Sequence, residues 1–156
     1  MSEKQVNAEL TAIAAIERLG ADIVRFGMSG VSSVYFARTR VADADLKHLK
    51  SLTGLKKLKL NRSPITDAGL KRLQGLTDLV QLHLADTEIT DDGLEHLTGL
   101  TNLGFLDLSN TQISNAGLEH LESFKKCKTL RLSGTNVTDS GVAKLQVALK
   151  GCKLKK

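Results

Sequence analysis

Aromatic residues are nearly missing from this 156-residue chain, which has one tyrosine and four phenylalanines. So few rings offer little for the bases of a nucleic acid to stack on. Proline occurs once, as Pro64. The two cysteines, Cys127 and Cys152, are too few for a disulfide framework and read as buried thiols rather than a bridge. No run approaches the ~18 consecutive apolar residues of a membrane span. Residues 1–20 carry Glu3, Lys4 and Glu9 where a leader would be apolar, so the default expectation is a cytoplasmic chain. Positive charge is missing from the middle. No Lys or Arg lies between Arg72 and Lys125, where nine acids fall. Residues 1–72 hold 13 basic against 7 acidic groups, and residues 125–156 hold 9 against 1. The net charge of +5 therefore describes basic ends flanking an acidic waist. Charge blocks of this kind steer and orient partners. Solvated faces drifting in sign would give the same map.

What the chain has in abundance is leucine, and it has it periodically. Four gapless copies of a 24-residue unit run Val41–Pro64, Ile65–Glu88, Ile89–Gln112 and Ile113–Asn136, followed by a shortened Val137–Lys156. A unit this short cannot close a core alone, so neighbours must stack. Within each unit, alternation of Leu58/Leu60, Leu82/Leu84, Leu106/Leu108 and Leu130/Leu132, with Val34/Phe36 upstream, marks a short strand with its apolar side inward. Five parallel strands at ~4.8 Å spacing are expected, with a ragged sixth at Cys152–Leu154.

A hydroxyl follows each strand, at Thr39, Ser63, Thr87, Thr111 and Thr135, placed to bond the adjoining turn. Thr66-Asp67-Ala68-Gly69-Leu70 then starts a short helix. Thr66 is its cap, Asp67 complements the positive end, and Leu70, Leu73 and Leu76 face the core. The column Gly69, Gly93, Gly117, Gly141 predicts close approach to a neighbouring rung. Asp45 breaks that column in the first unit. Cys127 stands in the column of Leu55, Leu79 and Leu103. Two residues dropped near the end would point Cys152 inward beside Leu130, away from Cys127.

Residues 1–30 do not fit the repeat. Val6, Leu10, Ile13, Ile16 and Leu19 describe an amphipathic helix ended by Gly20. Asp22–Phe26 reads as a strand, turned by Gly27-Met28-Ser29-Gly30 into Val31–Ala37. The expected organisation is one domain: a cap over residues 1–30, repeats over 31–136, and a shortened last repeat with a C-terminal cap over 137–156.

The repeat resembles the leucine-rich repeat, with Thr or Ser where that family usually has Asn or Cys. Its Thr-Asp-x-Gly-Leu helix start resembles a bacterial 24-residue class. It is also similar to the repeats of F-box substrate receptors, although no F-box-like segment precedes it in this sequence. The resemblance covers about residues 31–156. It implies a right-handed α/β solenoid with strands on the concave face and helices on the convex one.

The strand positions between the leucines are then the natural contact residues. One column reads Tyr35, Lys59, His83, Asp107, Arg131, its neighbour Ser33, Lys57, Gln81, Phe105, Thr129, and beyond lie Arg38, Arg62, Asp86 and Asn110. The candidate partner-binding residues are Tyr35, Lys57, Lys59, Arg62, His83, Phe105, Asp107 and Arg131. Tyr35 and Phe105 read as exposed aromatic anchors. An unused face drifting freely would be equally mixed. Five strands show a face of about 350 Å², against ~800 Å² from each partner in a standard interface. Loops must join in, the ligand must be short, or the array must belong to something larger.

The expected partner is a protein or peptide, bound by a monomer without catalysis or cofactor. Lys56, Lys57, Lys59 and Arg62 form the alternative, an anion or nucleic-acid patch, which Asp86 and Asp107 interrupt. A self-associating scaffold is the other alternative. His83, Asp107 and Ser109 share a face, but the Ser-to-His diagonal of ~7–8 Å is too long for a nucleophile and its base. His48, His96 and His120 form a convex column, on helices ~8–10 Å apart, too far to converge on one metal.

Overall fold

A computed structural model describes residues 2–25, 30–36 and 41–156. The turn read at Gly27-Met28-Ser29, together with Phe26, Ala37, Arg38 and Thr39, lies outside the described residues.

The repeat builds one seven-stranded sheet in sequence order. Its strands are β1 (Asp22–Arg25), β2 (Val31–Tyr35), β3 (Lys57–Lys59), β4 (Gln81–His83), β5 (Phe105–Asp107), β6 (Thr129–Arg131) and β7 (Lys153–Lys155). β1 pairs antiparallel with β2, and every later pair is parallel. Leu58, Leu82, Leu106 and Leu130 stack in register and are fully buried. At about 25 cal/mol per Å² of apolar surface removed from water, such columns supply the main force for stacking.

Two strand expectations need correction. The expected sixth parallel strand is present but regular rather than ragged, and it spans Lys153–Lys155: Thr129 faces Lys153, Leu130 faces Leu154 and Arg131 faces Lys155. Cys152 is therefore not beside Leu130. The last helical segment is one residue longer and the link from Cys152 to its strand one residue shorter, so Cys152 takes the place that Cys127 holds one rung earlier. The two thiols are neighbours within hydrogen-bonding reach, buried and unbridged.

On the other side of each rung lie short helical turns: a 3₁₀ segment Asp43–Ser51, α2 (Asp67–Lys71), α3 (Asp91–Leu94), a 3₁₀ turn Asn115–Gly117 running into α4 (Leu118–Leu121), and α5 (Asp139–Ala148). Here the sequence reading undervalued the aspartate. Asp67 accepts from the Thr90 backbone N–H (2.8 Å) and hydroxyl (2.7 Å) of the next rung. Asp43 does the same with Thr66, and Asp91 with Ser114. Asn115 continues the ladder to the Thr138 N–H at 3.0 Å. The glycine column follows from this. A Cβ on Gly69, Gly93, Gly117 or Gly141 would collide with the ladder side chain of the preceding rung.

The hydroxyl column behaves as expected: Ser63, Thr87, Thr111 and Thr135 each donate to the carbonyl three residues back. Helix α1 (Glu3–Arg18) starts in a Ser2–Gln5 capping box and packs Ala12, Ile13 and Ile16 inward. Leu19 is its C-cap, and Gly20 follows at φ 80°. The apolar face stops short of prediction, since Val6 and Leu10 are exposed. Among the described residues no helix is long and apolar enough to cross a membrane.

Candidate functional site

Register places the outward columns as read from the sequence. Tyr35, Lys59, His83, Asp107, Arg131 and Lys155 follow one another across the sheet, beside Ser33, Lys57, Gln81, Phe105, Thr129 and Lys153. The antiparallel β1 adds Asp22 opposite Tyr35 and Val24 opposite Ser33. The hairpin read from the sequence at Asp22–Phe26 and Val31–Ala37 brings both here, although neither stands among the candidate contacts because they lie outside the 24-residue columns.

Two clusters form on this face. In the first, the Lys59 and Lys57 ammonium groups lie 5.0 and 5.7 Å from the Tyr35 ring centroid. Cation–π attraction at such partly exposed sites is worth about 0.5–1 kcal/mol. In the second, the His83 and Phe105 rings are 4.6 Å apart, with the Arg131 guanidinium 5.3 Å from Phe105 on its other strand neighbour. Tyr35 and Phe105 are half-buried within these clusters rather than fully exposed.

Asp107 departs furthest from expectation. It is 5% exposed, although it belongs to an outward column. Its carboxylate accepts the Ser109 N–H (3.1 Å), the Ser109 hydroxyl (2.7 Å) and Arg131 Nη1 (3.3 Å). Those bonds make burial of the charge tolerable. They also engage Ser109 with Asp107 instead of His83. His83 Nε2 is buried, with no hydrogen-bond partner among the described residues. Burial, then the charges of Lys59 and Lys57, lower the His83 pKa to about 4. His83 is therefore neutral at pH 7.

The Lys56–Arg62 patch is less cationic than its sequence. Lys56 is paired with Asp78 at 2.6 Å, and Arg62 lies 3.7 Å from Asp86. Arg62, Asp86 and Asn110 all adopt left-handed backbone, at φ of 59°, 58° and 55°. They form a rim column in which Asn110 donates to Asp86 at 2.9 Å. On the helix side, His96 Nδ1 meets Gln74 Nε2 at 3.0 Å. Among the described residues no three His, Cys, Asp or Glu side chains converge as a metal site would require.

A leucine-rich-repeat family model matches residues 75–97, 99–121 and 128–145. That match identifies leucine-rich repeats over these residues, and the register above continues the same pattern along the sheet. An internalin from Listeria monocytogenes is similar in structure at 27% identity (TM-score 0.63), covering 72% of this chain and 31% of its own. A leucine-rich-repeat protein of Leptospira interrogans matches at 21% identity and TM-score 0.51, over 70% of this chain and 33% of its own. The ectodomain of the Arabidopsis receptor kinase HAESA, solved with a peptide hormone ligand, shares the fold at 15% identity and TM-score 0.66, over 97% and 33%. The chain thus spans about a third of the length of each of these three structures. Among proteins of curated function, none matches its sequence. Proteins of this family generally serve as non-enzymatic interaction scaffolds.

Proposed function

We propose that this chain is a non-catalytic protein-interaction module whose partner, a protein or peptide, lies across the concave strand face. One observation carries the reading. Adjacent strands hold two half-buried aromatic clusters, Tyr35–Lys57–Lys59 and His83–Phe105–Arg131, side by side on the outward columns of the sheet. Aromatic and arginine side chains are the groups that most often dominate binding energy at protein interfaces. The HAESA ectodomain, which is solved with a peptide ligand, shows that a solenoid of this fold can be a peptide receptor.

The nucleic-acid alternative draws less support, because Asp78 and Asp86 already answer Lys56 and Arg62. The test is a pull-down with the folded chain and two variants. Tyr35→Ala/Lys59→Glu alters the concave face, and Lys71→Glu/Arg72→Glu makes a charge change on exposed helix-side residues. A partner lost only by the concave variant supports the reading. A partner lost only by the helix-side variant overturns it.

A further inference from the structure

The concave face carries a charge pattern that the primary sequence hides. Most of the nine acids of the waist leave this face, projecting from helical turns, loops and rims. On the outward columns the cations fall in two places: Lys57 and Lys59 on β3, then Arg131, Lys153 and Lys155 on β6 and β7. The rungs between them hold Gln81, neutral His83, Phe105 and the buried Asp107. Arg131 is committed to Asp107, which leaves the four lysines as the unpaired cations of these columns among the described residues, with Asp22 the one acid beyond them, on the β1 edge opposite Tyr35. The columns are therefore cationic, then without unpaired charge around Phe105, then cationic again.

From that pattern we infer that the occupant is an extended acidic peptide with two acidic clusters separated by an apolar residue. The acids meet Lys57/Lys59 and Lys153/Lys155, and the apolar residue meets Phe105. This inference rests on the concave-face reading above and specifies its ligand. Spacing follows from geometry. From β3 to β7 is four rungs, about 19 Å at ~4.8 Å each. An extended chain rises about 3.4 Å per residue, so the two acidic clusters stand five or six residues apart. Size agrees as well. Seven strands of three to five residues, at ~3.4 Å per residue and ~4.8 Å apart, give roughly 400 Å², less than one side of a standard protein interface of ~800 Å² but enough for a short segment. A uniform polyanion fits worse. A nucleic acid would set phosphates over β4 and β5, where no free cation answers them.

The test is selection of displayed random decapeptides on the chain, followed by fluorescence anisotropy of the enriched sequences. Lys57→Glu/Lys59→Glu and Lys153→Glu/Lys155→Glu are measured beside the Lys71→Glu/Arg72→Glu control, each checked for folding by circular dichroism. Enriched peptides are expected to carry two acidic clusters at the stated spacing. Each concave double variant should weaken them at least about tenfold, and added salt should weaken them further. Shortening the spacing to two residues should also reduce binding.

Peptides without excess acid that still depend on Phe105 would overturn the acidic ligand and leave the concave-face reading standing. Peptides that bind both concave double variants and Phe105→Ala as well as the parent would overturn both. Glutamate variants at the four lysines that alter the far-UV spectrum would be replaced by glutamine, which removes charge without adding any. An oligothymidylate of equal charge that binds as tightly as the best peptide would assign the face to nucleic acid instead. A selection that enriches nothing above bare support would count against the acidic peptide as well.

Discussion

Gly93→Ala tests the claim that the aspartate ladder, rather than helix chemistry, dictates the glycine column. An alanine Cβ there would collide with the Asp67 carboxylate and come within 3.0 Å of Leu70 Cδ1. The carboxylate must swing away, and it then releases both the N–H and the hydroxyl of Thr90. Hydrogen bonds to a charged group contribute about 1.5–3 kcal/mol each. Water reaches this half-buried site, so about 2–4 kcal/mol for the pair is the working range. Alanine returns up to about 1 kcal/mol through its better helix propensity. The net expectation is a loss of about 1–3 kcal/mol, read by urea denaturation as a lower midpoint at unchanged slope. The cycle with Asp67→Ala makes the cause visible. Without the carboxylate, only the flexible Leu70 methyl has to move, and Gly93→Ala should become nearly neutral. A penalty of the same size in both backgrounds would refute the ladder as the cause.

Other consequences are as direct. His83 should titrate near 4 by NMR, and a midpoint between 6 and 7 would contradict its burial. As pH falls below 6.5 the unfolded chain takes up this proton first, so His83 lowers stability progressively from 6.5 down to about 4. His83→Gln should remove that part of the pH dependence. Phe105→Ala exposes the imidazole and should raise its titration midpoint toward 6.5. Burial, then Cys152, pushes the Cys127 thiol up to about 12, and burial raises Cys152 too. Both should resist a thiol-specific disulfide reagent in the folded chain and react once urea unfolds it. Rapid labelling of the native protein would mean that the last rung is open. Leu106→Ala, at a fully buried position, should cost about 2–5 kcal/mol by chemical denaturation.

The fold was legible because its columns are 24 residues apart in sequence and one strand apart in space. Leucine alternation located the strands, and Thr66 and Gly69 located the helix starts. The failures share a cause. Asp67 looked like a helix-start charge because its partner, Thr90, is 23 residues away and belongs to the next unit. The recurrent pairing of Asp43 with Thr66, Asp67 with Thr90 and Asp91 with Ser114 was the available signal. Cys152 was misplaced because one residue moved from the strand link into the last helical segment, a shift that preserves the strand period. Asp107 was expected in solvent because strand alternation fixes the direction of a Cα–Cβ bond and nothing beyond it. Ser109 and Arg131 decide where its carboxylate ends.

The division of labour among the columns bears on which surface is free to evolve a ligand. The inward column of Leu58, Leu82, Leu106 and Leu130 is fixed by packing. The hydroxyl column is fixed by its carbonyl bonds, and the Asp–Thr ladder by bonds between rungs. Each repeats nearly unchanged because changing it costs stability. The outward columns vary from lysine to glutamine to phenylalanine, and Asp107 alone among the candidate contacts is buried by a network of its own. Replacing Lys57 or Lys59 should therefore shift stability by no more than about 1 kcal/mol, the worth of a cation–π contact with Tyr35, and replacing Lys153 or Lys155 by no more than about 0.5 kcal/mol, as surface substitutions usually do. Asp107→Ala should cost several times that, since it strands the Ser109 N–H and hydroxyl and unpairs Arg131. A binding loss in the lysine variants then reports on ligand contact, whereas the same loss in Asp107→Ala would confound contact with folding. Lysine variants as destabilising as Asp107→Ala would mean that the outward columns are structural too, and the case for a free recognition face would fail.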